Sequence, residues 1–290
     1  MAKLKYLFTT IFILLLTATP INAQADLDVT EPKVIIQDEQ TAAAVVYQKE
    51  RLQEEIETVR DTLRGQIDTY RKDYKAYQIA KSQYEKLNTL ASIEEAIQKS
   101  KTAMYSRNQV LITYFTLLRL TLIEMDGVEL SQKDQILNQI ETHLTNLENH
   151  NKDVEKITTR EDLAQMKLEF LPLADFSEQT AYQSLSLIAV GKLQAVYDKA
   201  IVIQEKLKKE LTDKGSKIQQ AERKRAFDET DKVLVEAKEQ LDEVWLELKE
   251  SSKKSGKKAQ SIYDRLNQDL TPIFAKLSKS VSYLNQLLKT

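Results

Sequence analysis

Along most of this chain apolar side chains return at alternating three- and four-residue steps, the spacing that keeps one face of an α-helix apolar. Leu52, Ile56, Val59, Leu63, Ile67, Tyr70, Tyr74, Tyr77 and Tyr84 keep these steps and predict a single helix from about Glu39 to Leu87. At 1.5 Å per residue such a helix is a rod of ~70 Å. That exceeds the width of a compact domain, so an elongated molecule is expected.

A second helix is predicted from a capping box at Ser92 and Glu95 through the stretch NQVLITYFTLLRLTLIEMDG, with Asp126-Gly127 as its stop. A third begins at Ser131 and places Leu137, Ile140, Leu144, Leu147 and Val154 on one face. Thr158 with Glu161 caps a short fourth helix that reaches Leu171, where Pro172 is expected to break it, and Asp175 with Glu178 caps a fifth. The fifth carries YQSLSLIAVGKLQAVYDKAIVIQ and either ends at Asp213-Lys214-Gly215 or runs on through it. Phe227, Leu234, Leu241 and Leu248 then recur every seven residues, with Ala237 and Val244 in the alternate slot, which makes a coiled-coil seam. A last helix sets Ile262, Leu266, Leu270, Ile273, Leu277, Val281, Leu284 and Leu288 on one side, and Pro272 either kinks it or restarts it behind Thr271.

No segment alternates with period two for long enough to form a strand, and no close repeat of fixed period is present. The expected fold is all-α: an elongated antiparallel helical bundle with long, coiled-coil-like helices and no sheet. Composition agrees, because Gly 5 and Pro 4 among 290 residues leave few points at which the chain can turn tightly.

The N-terminus changes the picture. Residues 1–23 read as a signal peptide: Lys3 and Lys5, an apolar run from Leu7 to Leu16, then small residues that allow cleavage after Ala23 or Ala25. The apolar run is too short for a spanning helix, which needs about 20 residues. An extended leader, 24–38, follows, and Pro32 holds Glu31 out of the helical region. The remainder, 39–290, is the bundle, with a sub-boundary expected near 159–176 and a basic loop at 251–258. The expected address is outside the cytoplasm: periplasm, cell surface or extracellular space. With Cys 0 no disulfide and no lipid-modified cysteine is available.

Charge and chemistry narrow the function. Lys+Arg 42 against Asp+Glu 44 argues against nucleic-acid binding. His143 and His150, seven residues apart, stand ~10 Å apart along a helix and cannot share one metal ion, so both are read as surface residues. No phosphate loop, nucleophile elbow or cysteine nucleophile is present, and no catalytic residue, metal or cofactor is expected. Tyr70, Tyr74, Tyr77 and Tyr84 form a ladder that suits a half-buried seam, and they are also the candidate contacts for a protein or envelope polymer. Lys253, Lys254, Lys257 and Lys258 flank Gly256 in a solvated hinge and are the candidate contacts for an anionic surface. Trp245 is expected at the edge of the core.

The order YKAYQIAKSQYEKL, SRNQVLITYFTLLRLTLIE, then an MDG break resembles a class of uncharacterised exported helical proteins of bacteria, over residues 40–155. That resemblance implies no activity and no site residue. The export signal before charged long helices is also similar to periplasmic holdase chaperones of the jellyfish-shaped type, which are shorter, more basic and built on a strand-rich body.

The function expected is a non-enzymatic scaffold, spacer or adaptor at the cell envelope, acting through protein contacts, with self-association open. The alternative is a chaperone or lipid-binding protein whose amphipathic helices open around apolar cargo, and behind it a helical membrane-inserting protein. The stretch Asn108–Gly127 discriminates among these, because it is apolar around most of its girth yet carries Arg119 and is too short to span a membrane. It is expected to be the central helix, packed against Tyr182–Ile203. Leu118→Asp should then unfold the protein by burying an unpaired charge, which circular dichroism would show. A folded variant that loses only membrane or partner binding would refute the core assignment.

Overall fold

The computed structural model describes residues 39–211, 217–251 and 259–289. Among them every element is an α-helix packed on other helices, with no strand, as the all-α expectation requires. The order is α1 (Glu39–Leu87), α2 (Leu90–Glu124), α3 (Leu130–Glu155), α4 (Arg160–Leu211), α5 (Lys217–Ser251) and α6 (Ala259–Lys289). Among the described residues no helix is long and apolar enough to cross a membrane. The signal segment, the leader, the chain at 212–216 and the loop bearing Lys253, Lys254, Lys257 and Lys258 lie outside the described residues.

The chain divides into two compact units. The first takes the residues through Leu120 together with Asn146–Glu178; the second takes Thr121–Thr145 and Gln179–Thr290. Helices α2, α3 and α4 thus contribute residues to both.

In the first unit the stripe predicted on α1 is the face turned inward, with Ile56 and Leu63 buried and Leu52, Val59 and Ile67 half-buried. Its outer face carries local ion pairs, Arg64 with Asp61 and Arg71 with Asp68, each at 2.8 Å. Helix α2 is covered all round: from Ser106 to Leu122 no residue is exposed, and between its apolar positions stand mostly hydroxyls and amides, with Arg107 and Arg119 as the two charges. Ile97, Val154 and Ile157 form a core cluster, joined by Ile93, Met104, Leu163 and Met166.

The helix ends differ in detail from the capping pattern. Asn88 adopts φ +46° and its N–H reaches the Tyr84 carbonyl at 3.0 Å, which closes α1. Thr89 caps α2 in place of the Ser92/Glu95 box: its Oγ1 accepts the Ser92 N–H at 3.3 Å and its carbonyl accepts the Ile93 N–H at 3.0 Å. At α4 the box is shifted by one residue. Thr159 Oγ1 accepts the Asp162 N–H at 3.1 Å, while Asp162 Oδ2 accepts the N–H groups of Thr158 and Thr159, both at 2.9 Å. Those backbone donors hold the Asp162 carboxyl below its usual range.

Pro172 does not break the chain, and the expected fourth and fifth helices are one. A proline inside a helix costs ~3 kcal/mol. Here the ring lies on the exposed side, whereas Phe170, Ala174 and Ser177 are buried on either side of it and hold the helix continuous. Asp175 and Glu178 are accordingly mid-helix residues, and burial, then Asp175, raises the Glu178 carboxyl. Pro272 is exposed between buried Leu270 and Ile273, and α6 likewise runs through it.

In the second unit, Gly127 ends α2 with φ +79°, as the Asp-Gly stop predicts. The end of this stretch meets part of the segment expected to cover it, since Gly127 lies against Gly191 and Ala195, and Gly191 against Met125 and Val128. Lys133 Nζ donates to the Met125 carbonyl at 2.6 Å, which satisfies a last-turn acceptor of α2.

Helices α5 and α6 are antiparallel partners. Ion pairs join Lys276 to Glu236 at 3.0 Å and Arg265 to Glu247 farther along. All six predicted α5 seam residues are buried, with Thr230 in a further seam slot. In α6 the seam is Ala259, Leu266, Leu270, Ile273, Leu277, Ser280, Leu284 and Leu287. Leu288, assigned to this face by pattern, is exposed, because the three-residue step from Leu284 falls on Leu287.

Gly127 tests the close contact in the second unit. A Cβ there would stand 2.5 Å from the Gly191 carbonyl oxygen and 2.7 Å from the Ala195 nitrogen, on a left-handed backbone. Gly127→Ala should destabilise the protein by roughly 2–4 kcal/mol. Gly65→Ala on α1, where a Cβ meets nothing within 4 Å, should stabilise it by about 0.5–1 kcal/mol. Urea midpoints of the two variants measure both.

Candidate functional site: a buried polar centre in the first unit

Helix α3 explains where polar chemistry is buried. Its inward positions are Ile136, Ile140, His143, Leu147, His150 and Val154, at alternating steps of four and three, and Ile157 continues the series just past the helix end. The two histidines are therefore seam residues and not the surface residues expected from sequence. Seven residues apart is two helical turns of a heptad, so both return to the same face as Leu147. That spacing was the available signal.

His143 lies in the second unit, fully buried, and burial pushes its imidazole down to about 4. His150 lies in the first unit at 5 % exposure, among Arg107, Asn108, Asn151 and Phe170. Arg107 and Asn108 come from α2, His150 and Asn151 from α3, and Phe170 from α4. Three helices thus meet at this level.

The contacts form a chain. The Arg107 guanidinium carbon stands 3.2 Å from the Phe170 ring centroid, and the ring of His150 is 5.5 Å from the same ring. Arg107 Nε and Nη2 donate to Asn108 Oδ1 at 3.3 and 3.1 Å. Asn108 Nδ2 lies 2.8 Å from His150 Nδ1 and donates to Asn151 Oδ1 at 2.8 Å. His150 Nε2 faces the Met166 carbonyl of α4 at 3.4 Å.

Electrostatics here are governed by burial. It lowers the Arg107 guanidinium to about 9, with Tyr70 of α1 opposing the shift. Burial likewise raises the Tyr70 hydroxyl, although the positive charge of Arg107 pulls it the other way. His150 is lowered first by burial and second by Arg107, against smaller raising effects of the Met166 carbonyl, Glu169 and Asp153. Such a network sets the register of the helices that share it, because a displaced helix would strand several buried polar atoms at once.

Of the residues singled out from sequence, Tyr70, Tyr74, Tyr77 and Tyr84 are half-buried on α1. Tyr70 and Tyr74 have ring centroids 5.8 Å apart, Tyr74 and Tyr77 5.9 Å, and the Arg160 guanidinium sits 5.2 Å from the Tyr84 ring. Tyr70, at the head of the ladder, interacts electrostatically with Arg107 of the polar centre. Trp245, half-buried in the second unit, donates from its indole N–H to Gln194 at 3.2 Å. Among the described residues no group of three or more His, Asp or Glu side chains could hold a metal ion. Arg107, Asn108 and Asn151 were missed by sequence reading, because nothing in their types separates a buried amide or guanidinium from an exposed one.

In comparison with known proteins, no family model, no curated protein and no solved structure matches this chain.

Asn108 is the residue on which the network turns. Asn108→Leu keeps the volume and removes the donors to His150 and Asn151, leaving two buried acceptors without them. The expected loss is about 2–4 kcal/mol, read as a lower urea midpoint with unchanged helix content.

Proposed function

We propose that this protein is an exported, non-enzymatic helical scaffold or spacer that acts at the cell envelope by holding or bridging protein partners. The observation that carries this reading is α1. It is one unbroken helix of 49 residues, a rod of about 74 Å at 1.5 Å per residue. From Leu52 to Tyr84 one face is fastened, buried or half-buried, and the opposite face is charged and exposed. A rod fastened in this way keeps a fixed length between whatever binds at its two ends, which is the physical requirement of a spacer.

The contacts proposed for partners follow from the same helix. The half-buried tyrosines Tyr74, Tyr77 and Tyr84, which continue the ladder from Tyr70, offer flat apolar rings with polar tips to a partner. Exposed Tyr47 near one end and Leu87 at the other, with Leu90 beside it on α2, add apolar points where a partner can gain burial. The lysines of the 251–258 loop remain the proposed contact for an anionic polymer or lipid surface. Export is proposed on the N-terminal segment, residues 1–23, with its lysines and apolar run.

Fractionation of the native host with lysine crosslinking tests place and role together. The expected result is a mature chain that begins at Gln24 or Asp26, recovered outside the cytoplasm. Discrete crosslinks should run from Lys72, Lys75 and Lys86 of α1 to a protein partner. Recovery in the cytoplasm with residues 1–23 intact would refute export. A fully exported chain whose α1 lysines form only internal crosslinks would refute the scaffold role.

A further inference from the structure

The polar centre is built so that it closes only around an uncharged histidine. A guanidinium carries donors and no acceptor, so the Asn108 atom facing Arg107 must be the amide oxygen. The amide nitrogen is then directed at His150 Nδ1 and Asn151 Oδ1, both at 2.8 Å, and each of its two hydrogens has one acceptor. His150 Nδ1 must therefore present a lone pair. The single proton of the neutral ring stands on Nε2, toward the Met166 carbonyl at 3.4 Å. A second proton, on Nδ1, would set one N–H against another and place a second cation beside Arg107.

Charged and titratable groups face His150 from each helix of the junction. Arg107 on α2 opposes protonation; Glu169 on α4 and Asp153 on α3 favour it; Tyr70 on α1 acts through Arg107. The two carboxylates favour the imidazolium, but they do not replace the acceptor that the amide would lose. Burial and Arg107 together outweigh them.

We propose that the Arg107–Asn108–His150 chain is an acid-sensitive latch: neutral His150 holds α2, α3 and α4 together in the first unit, and protonation at Nδ1 opens that unit at the level of Phe170. The inference is independent of the scaffold reading. The sign follows from linkage. In the opened unit His150 regains its ordinary value of about 6.5, whereas in the closed unit it is lower. The open form binds the extra proton, so opening grows as pH falls below about 6.5, by up to about tenfold per pH unit. It levels off once the closed form also protonates.

Two measurements on the full chain test the latch. Nitrogen-15 NMR of the two histidines should show His150 at neutral pH with its proton on Nε2. Hydrogen exchange at pH 7.5 and 5.5, corrected for intrinsic rates, should be faster at the lower pH in segments 103–111, 146–154 and 163–174, by up to about tenfold. Asn108→Asp supplies an acceptor to both Arg107 and His150 Nδ1–H, so His150 should titrate above about 6.5 and the response of these segments should vanish or reverse. His150→Leu, which fits a seam position, should abolish the response without titrating. A neutral His150 protonated on Nδ1, exchange in these segments that does not change with pH, or an acid response that survives His150→Leu would each overturn the proposal. So would a response confined to 136–145, which would belong to His143 in the second unit.

Discussion

A long helix in water can be held only along its side, and this protein depends on keeping that side continuous. With Gly 5 and Pro 4 in the chain there are few places to turn back, so each helix must bury a stripe over most of its length or fray. The alternating steps of three and four residues meet this constraint on α1, α3, α5 and α6. They also explain why Pro172 and Pro272 are tolerated. Each ring faces outward, and the buried neighbours on either side hold the backbone where the missing hydrogen bond does not.

Where a stripe is continuous, polar residues that fall on it are buried whatever their type. Thr230 and Ser280 are accommodated cheaply, because each hydroxyl donates to a carbonyl of its own helix, Ala226 and Leu277 respectively. His150 cannot satisfy itself in that way and recruits Asn108 from α2 and the Met166 carbonyl from α4. The difference has a consequence for specificity. Self-satisfied hydroxyls let neighbouring helices slide, whereas the Asn108 network is complete at one register only. The same completeness makes it sensitive to a proton.

The helix stripes, the stop at Asp126-Gly127 and the covered girth of α2 were all legible in the residues, because local periodicity and left-handed backbone preference are properties of a few neighbouring positions. The capping residues were legible only to within one to three residues. Thr89 and Thr159 won over Ser92 and Thr158 because the turns preceding them bring their hydroxyls onto the free N–H groups. The histidines were misassigned for a different reason. Ionisable type suggested solvent, while their spacing placed them in the heptad, and the spacing prevailed because burial of Leu147 and Val154 carries the positions between and beside them inward.

By itself the sequence determined that the chain is helical, roughly where each helix runs, and which face of each is apolar. These follow from 3.6-residue geometry acting on near neighbours. Only the tertiary structure decided that α4 passes through Pro172, that α5 and α6 pair with Lys276 at Glu236, and that Arg107, Asn108, His150 and Phe170 meet. Those residues stand up to 63 positions apart in the chain, from Arg107 to Phe170, and no local pattern encodes which side chain stands opposite another. That is settled by packing, where a buried donor must find its acceptor or the helices do not close.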